Sequence, residues 1–416
     1  MCEGVNGMRG IALVATLMVL AAGCPTRTTD EATEIAPLAA GDDLVTVEEV
    51  QEHLAAAQEA FDGEDYPKAA QEAAAGLEGD PHDARLLRIH GMASLHLGKP
   101  AEAIPSLEAA AVAEPRDPDI QQALAEAYDA TGEPEAAAPH AGLAAELYAD
   151  DPWAHFAHGL LLKEIGEYAE AAKALGQADA LMPDDPEILL TMAEAYCEAG
   201  DPEACAVNAR AALDAMVVST SESEPPHYPD DRLESAARAN ELLAMSHLAR
   251  ATPDEESADR EVARQYLEEI PLLIEDEDLA RAHQMRAYQQ AGYVESAVWT
   301  LGQMEAVPER PWAQMVAART YLDAGESFDE ALQAAEKAVE LGGETAETLS
   351  LRGWANFKNE NYETAEKDLL AALELARTSR REAELHYRLA KTYEALGSTA
   401  QAAEHQEKAD QLGYGD

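Results

Sequence analysis

Basic residues are scarce in this chain of 416 residues: 29 Lys and Arg stand against 81 Asp and Glu, a formal net charge of -52. Binding to nucleic acid needs a basic stripe along the phosphates, and none is present, so nucleic-acid partners are excluded. Anionic lipid surfaces are disfavoured for the same reason. Aromatic residues are also few, at 5%, while the apolar fraction of 47% is ordinary, so small and aliphatic side chains must fill the interior. The apolar run at residues 11–22 is too short to span a bilayer. A glycine-rich phosphate loop, a helical zinc-protease motif and a serine elbow are all missing. Carboxylates are too numerous for any two to be singled out as acid and base. No catalytic residue, no metal and no cofactor is expected.

What the chain does contain is a register. A step of 34 residues links Gly98, Gly132, Gly166 and Gly200, each ending a helical run. The same step links Gly91, Ala125, Gly159 and Ala193, then Ala69, Ala103, Ala137, Ala171 and Cys205, then Gly76, Ala110, Ala144, Ala178 and Ala212. Columns of small residues let two helix backbones cross closely, while larger columns such as Leu124, His158 and Met192 fill the space between. Start signals recur in step: Asp117-Pro118, Asp151-Pro152 and Asp185-Pro186 each offer a carboxylate cap and a proline suited to a first turn. After each glycine, Lys99-Pro100, Glu133-Pro134, Glu167-Tyr168 and Asp201-Pro202 open a second helix. Each unit therefore reads helix, tight turn, helix.

This pattern resembles the tetratricopeptide repeat in period and in small-residue columns. The resemblance implies an all-α, right-handed superhelical solenoid of helix-turn-helix units, whose first helices line an inner face that binds extended peptides or partner helices. Each unit buries its apolar face only against its neighbours. Five units are expected over residues 47–217, the first of them with Gly63 one place early. The Ser/Pro/Asp-rich stretch 218–231 reads as a connector, with a functional loop across the inner face as the other reading. A second, more divergent array of about five units is expected over 232–416, beginning with a loose pair and recovering through Gly292, Gly353 and Gly397.

Before the repeats, Arg9 precedes the apolar run, which ends in Leu20-Ala21-Ala22-Gly23-Cys24. This resembles the lipobox of bacterial lipoproteins, with Ala21 where leucine is common. The resemblance implies a signal peptide over 1–23, a lipid attached to Cys24 and a flexible tether over 24–46. The protein would then sit in the bacterial cell envelope, moored to the inner or outer membrane and facing the periplasm or exterior. The other readings are an ordinary signal peptide cut nearby, giving a soluble secreted protein, and an unprocessed anchor.

By the tetratricopeptide resemblance, the partner-facing positions include Arg85, Arg88, Trp153, Phe156, Leu160 and Leu190. The family's clamp for chaperone tails needs Lys, Arg and Asn in successive units, and Arg85 and Arg88 alone do not make one. Trp153, Phe156, Leu160 and Leu190 instead suggest an apolar strip flanked by acid, suited to protein or peptide partners of basic or apolar character. Packing between units is the competing reading for Trp153 and Phe156. The acid excess is spread along the whole chain and reads as a surface suited to high salt, with steering of basic partners as the alternative.

Function is thus expected to be that of a tethered, non-enzymatic scaffold, in envelope or outer-membrane assembly among other roles. A cation-dependent accessory of an envelope enzyme is the alternative. His155 and His158 lie one helical turn apart, yet nothing joins them into a metal site, and His158 shares its column with His90 and Leu124. Cys197 and Cys205 flank the Gly200 turn. Either they form a hairpin disulfide, or Cys205 is simply a small core residue in an alanine column.

Overall fold

The computed structural model describes residues 45–217, 228–252 and 257–414. Signal peptide, Cys24 and most of the expected tether lie outside the described residues, as does most of the 218–231 stretch. Among the described residues there is no strand, and no helix is long and apolar enough to cross a membrane.

Among the described residues twenty α-helices follow one another in pairs. The first five pairs are α1 (Val47–Asp62) with α2 (Tyr66–Gly79), α3 (Ala84–His96) with α4 (Pro100–Ala113), and α5 (Pro118–Thr131) with α6 (Pro134–Leu147), then α7 (Pro152–Glu164) with α8 (Tyr168–Leu181) and α9 (Pro186–Glu198) with α10 (Pro202–Met216). Next come α11 (Leu233–Arg250) with α12 (Ala258–Leu273) and α13 (Glu277–Gln290) with the short α14 (Val294–Leu301). The last three are α15 (Pro311–Ala324) with α16 (Phe328–Gly342), α17 (Ala346–Lys358) with α18 (Tyr362–Glu374), and α19 (Ser379–Ala395) with α20 (Thr399–Gln411). Every helix packs on the next, and α10 packs on α11 as neighbours do elsewhere, so the stack runs on past residues 218–227. The result is an all-α superhelical solenoid with the odd-numbered helices along its inner face.

Local chemistry sets the helix ends. The side chains of Asp83, Asp117, Asp151 and Asp185 accept from backbone N–H groups of the first turns of α3, α5, α7 and α9, satisfying donors that have no partner within the helix. The turn glycines Gly98, Gly132, Gly166 and Gly200 have φ between 69° and 87°, the left-handed region that a side chain disfavours. In the first unit Gly63 has φ -87° and the left-handed seat falls on Glu64 at φ 58°. The turn geometry is kept at the same place in the register although the glycine has slipped by one.

Within a pair, the crossing is filled by complementary volumes 16 residues apart. A Cβ on Gly91 would lie 2.5 Å from Leu107 Cγ, one on Gly159 2.6 Å from Leu175 Cγ, and one on Gly353 2.9 Å from Leu369 Cγ. Where the first helix carries alanine, the second does too: Ala57 and Ala73 share one core cluster, Ala125 and Ala141 another, Ala193 and Ala209 a third. Glycine under leucine and alanine against alanine both keep at least one small side chain at the crossing, so the two helices can approach closely while residues vary.

Cys197 and Cys205 are bonded, with Cα atoms 5.1 Å apart, tying the end of α9 to the start of α10. Cys205 is fully buried as well. The two sequence readings were not exclusive: the small-residue column brings the helices close enough for sulfur to bridge them.

Along the inner face a ladder of charges binds consecutive odd helices. Lys163 of α7 donates to Glu194 of α9 at 2.7 Å, and Arg238 of α11 donates to the other oxygen of Glu194 at 3.1 Å. Arg238 also pairs with Glu241, which Arg286 of α13 grips with two bonds of 2.6 Å and His283 approaches at 2.9 Å. The Arg286 guanidinium in turn lies 4.1 Å from the ring centre of Trp312 on α15. Glu241 is completely buried. Burial alone raises its pKa, but the attraction of Arg238 and Arg286 and the bonds from His283 and Arg286 outweigh that and hold it at about 2.

Two outcomes follow from this packing. Gly159→Ala is expected to cost about 1–3 kcal/mol in urea unfolding, and combining it with Leu175→Ala to cost less than the sum of the separate changes. Glu241→Ala leaves two arginines without their shared anion and is expected to cost about 3–5 kcal/mol. Because the folded pKa of Glu241 is depressed from 4.5 to about 2, its stabilisation is present above the unfolded value and is lost as pH falls through that interval. Thermal melts across that range should fall more steeply for the native chain than for Glu241→Gln.

Candidate partner-binding groove

Successive odd helices touch along the inner face, and among the described residues α5 and α7 meet least closely of all such pairs. One position of the register also differs here. Leu86, Ile120 and Ile188 occupy the same column of the repeat and are each fully buried, filling the space against the preceding unit. At this place the fourth unit carries Ala154. Beside it a cavity of about 700 Å³ lies between α5, α6 and α7, lined by Ala125, Ala141, Ala144, Ala154, Ala157 and Leu161. A signal for it was present in the sequence as a break in an aliphatic column, which attention to the small-residue columns passed over.

Two large apolar side chains border the cavity in the open. Trp153 is 51% exposed and Leu160 39%. Trp153 is held in place from both ends: its backbone N–H donates to Asp151 at 2.9 Å, and its ring meets Phe156 edge-on with centroids 5.8 Å apart. The strip expected from the sequence is corrected at its second member. Phe156 is buried in a core cluster with Leu189 and Met192 of α9, so it supports Trp153 and faces no partner. Leu190 is partly buried against the same cluster.

The polar lining is acidic. Glu126, Asp129, Asp151 and Glu164 border the cavity together with Gln122 and one cation, Lys163. The ammonium of Lys163 is taken by Glu194 in the ladder, so it does little to neutralise the others. A neighbouring cavity of about 420 Å³, lined by Met92, Leu95, Asp119, Gln122 and Glu126 among others, continues the groove toward α3. Arg85 and Arg88 stand beyond it and already hold anions. Arg85 binds Asp83 at 2.6 Å, which pulls the Asp83 carboxyl below its ordinary range, and Arg88 reaches Asp119 at 3.4 Å. The six residues singled out in the sequence therefore divide into two that border the cavity, two that pack beneath or beside it, and two that neutralise local acid.

His155 and His158 lie on the opposite side of α7. Nε2 of His155 is 3.2 Å from the Ala149 carbonyl oxygen, and burial, then the charge of His155, pushes the pKa of His158 down. Among the described residues no group of three or more His, Cys, Asp and Glu is placed to hold a metal ion.

Two family models, both described as tetratricopeptide repeat, match the chain: one over residues 164–215, the other over 54–118, 90–152, 315–380 and 352–415. Together they span more than half of it. Among solved structures, MamA protein is 20% identical over 41% of this chain and 93% of its own, with a TM-score of 0.37. YrrB, described as a TPR protein with an unusual peptide-binding site, is 20% identical over 41% of this chain and 88% of its own, with a TM-score of 0.38. No curated protein matches the chain. With its paired helices in 34-residue register and these matches along its length, the chain belongs to the tetratricopeptide repeat family, whose arrays are protein-interaction scaffolds.

Proposed function

We propose that this protein is a membrane-tethered scaffold that holds an extended segment of a partner protein in the groove between α5 and α7. A bulky apolar side chain of the partner enters the cavity beside Ala154, against Trp153 and Leu160. Flanking lysine or arginine residues meet Glu126, Asp129, Asp151 and Glu164. The observation that carries this reading is the exposed Trp153 beside an apolar cavity with an acidic border. An aromatic ring left half in water costs hydration free energy that a partner would recover, and aromatic anchors dominate such interfaces. Charge complementarity selects against acidic segments.

The tether rests on residues 11–24. Acylation of Cys24 would moor the array in the bacterial envelope through about 0.8 kcal/mol per buried methylene, with no spanning helix required. Mass spectrometry of the mature chain is expected to find diacylglycerol on an N-terminal Cys24, and Cys24→Ala is expected to shift the protein from the membrane to the soluble fraction. An unmodified Cys24 in the mature protein overturns the tether.

The groove is tested by titrating the full chain, in buffer of physiological ionic strength, with a fluorescent decapeptide that carries one central leucine among lysines and arginines. A peptide with glutamates in place of the basic residues serves as the control. The basic peptide should bind and the acidic one should not. Trp153→Ala is expected to weaken binding by tenfold or more, about 1.4 kcal/mol. Ala154→Leu should abolish binding while raising the unfolding midpoint, since it fills the cavity. Binding that survives both substitutions places the partner elsewhere.

A further inference from the structure

Among the described residues, five hydrogen bonds join parts of the chain more than 200 residues apart, all of them from three residues at the junction of α18 and α19. Arg377 Nη2 donates to the carbonyl oxygen of Asp129 at 2.6 Å and to its carboxylate at 2.8 Å, while Nη1 lies 3.3 Å from Glu164. Ser379 donates to Glu135 through its backbone N–H at 2.6 Å and its hydroxyl at 2.8 Å. Arg380 donates to the Tyr168 hydroxyl at 2.7 Å, with its guanidinium 5.4 Å from the centre of that ring. The superhelix has curled until a late connector meets the turns of the third and fourth pairs.

Electrostatics explain the fit. Asp129 and Glu164 lie in the last turns of α5 and α7, where the helix dipoles are negative, and the two arginines sit there. Glu135 meets the first N–H of α19, the positive end of that helix. The turn glycines leave room: a Cβ on Gly132 would lie 3.5 Å from Arg377 Nε and one on Gly166 3.1 Å from Arg380 Nη1, whereas Gly98 and Gly200 have nothing within 4 Å.

The contact is built to come apart. Arg377, Asp129 and Glu164 have side chains 44%, 47% and 38% exposed, and ion pairs at such exposure are weak and screened by salt. An open cavity of about 590 Å³ separates Thr131 and Gly132 from Leu375 and Ala376, so polar bonds hold the two surfaces without a packed apolar layer. Asp129 and Glu164 also border the groove between α5 and α7.

We infer that the α18–α19 connector is a clasp: Arg377 occupies the groove's carboxylates while it is empty, and a basic residue of the partner displaces it, releasing the superhelix into a more open form. This rests on the groove reading above, since the competitor is the basic residue that the groove selects. The partner so defined carries arginine or lysine next to its apolar anchor, in the place Arg377 vacates.

Two variants open the clasp from opposite sides. Arg377→Ala removes its cation and makes the chain more acidic, whereas Glu135→Ala removes both acceptors of an anchor outside the groove and makes the chain less acidic. Both should tighten binding of the basic decapeptide, by about three- to tenfold for a clasp worth up to about 1.4 kcal/mol. Because they change net charge in opposite directions, bulk electrostatics cannot produce the same gain in both. Small-angle scattering of the full chain should show a larger radius of gyration for each variant than for the native protein in low salt, and an expansion of the native protein on adding the peptide. Melting midpoints near native confirm that both variants are folded.

Unchanged or weaker peptide binding in Glu135→Ala, or scattering identical to native in both variants, overturns the clasp. The groove reading survives that result provided Trp153→Ala still weakens binding. If Trp153→Ala has no effect, the groove reading fails, and with it the competition, even where scattering shows the junction opening.

Discussion

Each helix pair depends on the crossing of its two members, where of two residues 16 apart at least one is small. Glycine against leucine at Gly159 and Leu175, and alanine against alanine at Ala193 and Ala209, both leave room for close approach. Because the pairs close in this way one after another, small rotations between them add up to a superhelix with a continuous inner face. A solenoid has no central core to absorb a misfit, so an error at one crossing is passed along the array. This is why the chain can be so poor in aromatics and so rich in alanine.

Against that regular background the groove is a departure. Ala154 stands where the second, third and fifth units carry leucine or isoleucine, and it borders a cavity. Trp153 stands beside it, exposed and yet fixed by Asp151 and Phe156. The stack tolerates the missing side chain because α7 still packs on α6, α8 and α9. What is lost is close contact between two inner helices, and what is gained is a recess on the inner face.

Charge has different roles in different places. On the outer surface the acid excess is solvated and each pair adds little. In the ladder from Lys163 to Trp312 the same groups are withdrawn from water, and buried Glu241 organises two arginines and a histidine from two helices. At the α18–α19 junction exposed pairs hold distant units together only as strongly as screening allows. Burial, more than the number of charges, separates a structural ion pair from a releasable one.

The repeat, its 34-residue register, the aspartate caps and the turn positions were legible along the chain, because those depend on contacts within a unit or with the next, and such contacts recur at fixed spacing. Even where Gly63 has slipped, the left-handed turn stays in register at Glu64, since the hairpin needs that backbone shape whichever residue supplies it. Tertiary structure alone decided the rest. Phe156 and Trp153 are both aromatic and three residues apart, and only the packing of α9 buries one and leaves the other bare. The partners of Glu241 and Arg377 lie up to 45 and 248 residues away. Their meeting depends on the accumulated curvature of many units, a quantity that no single repeat contains.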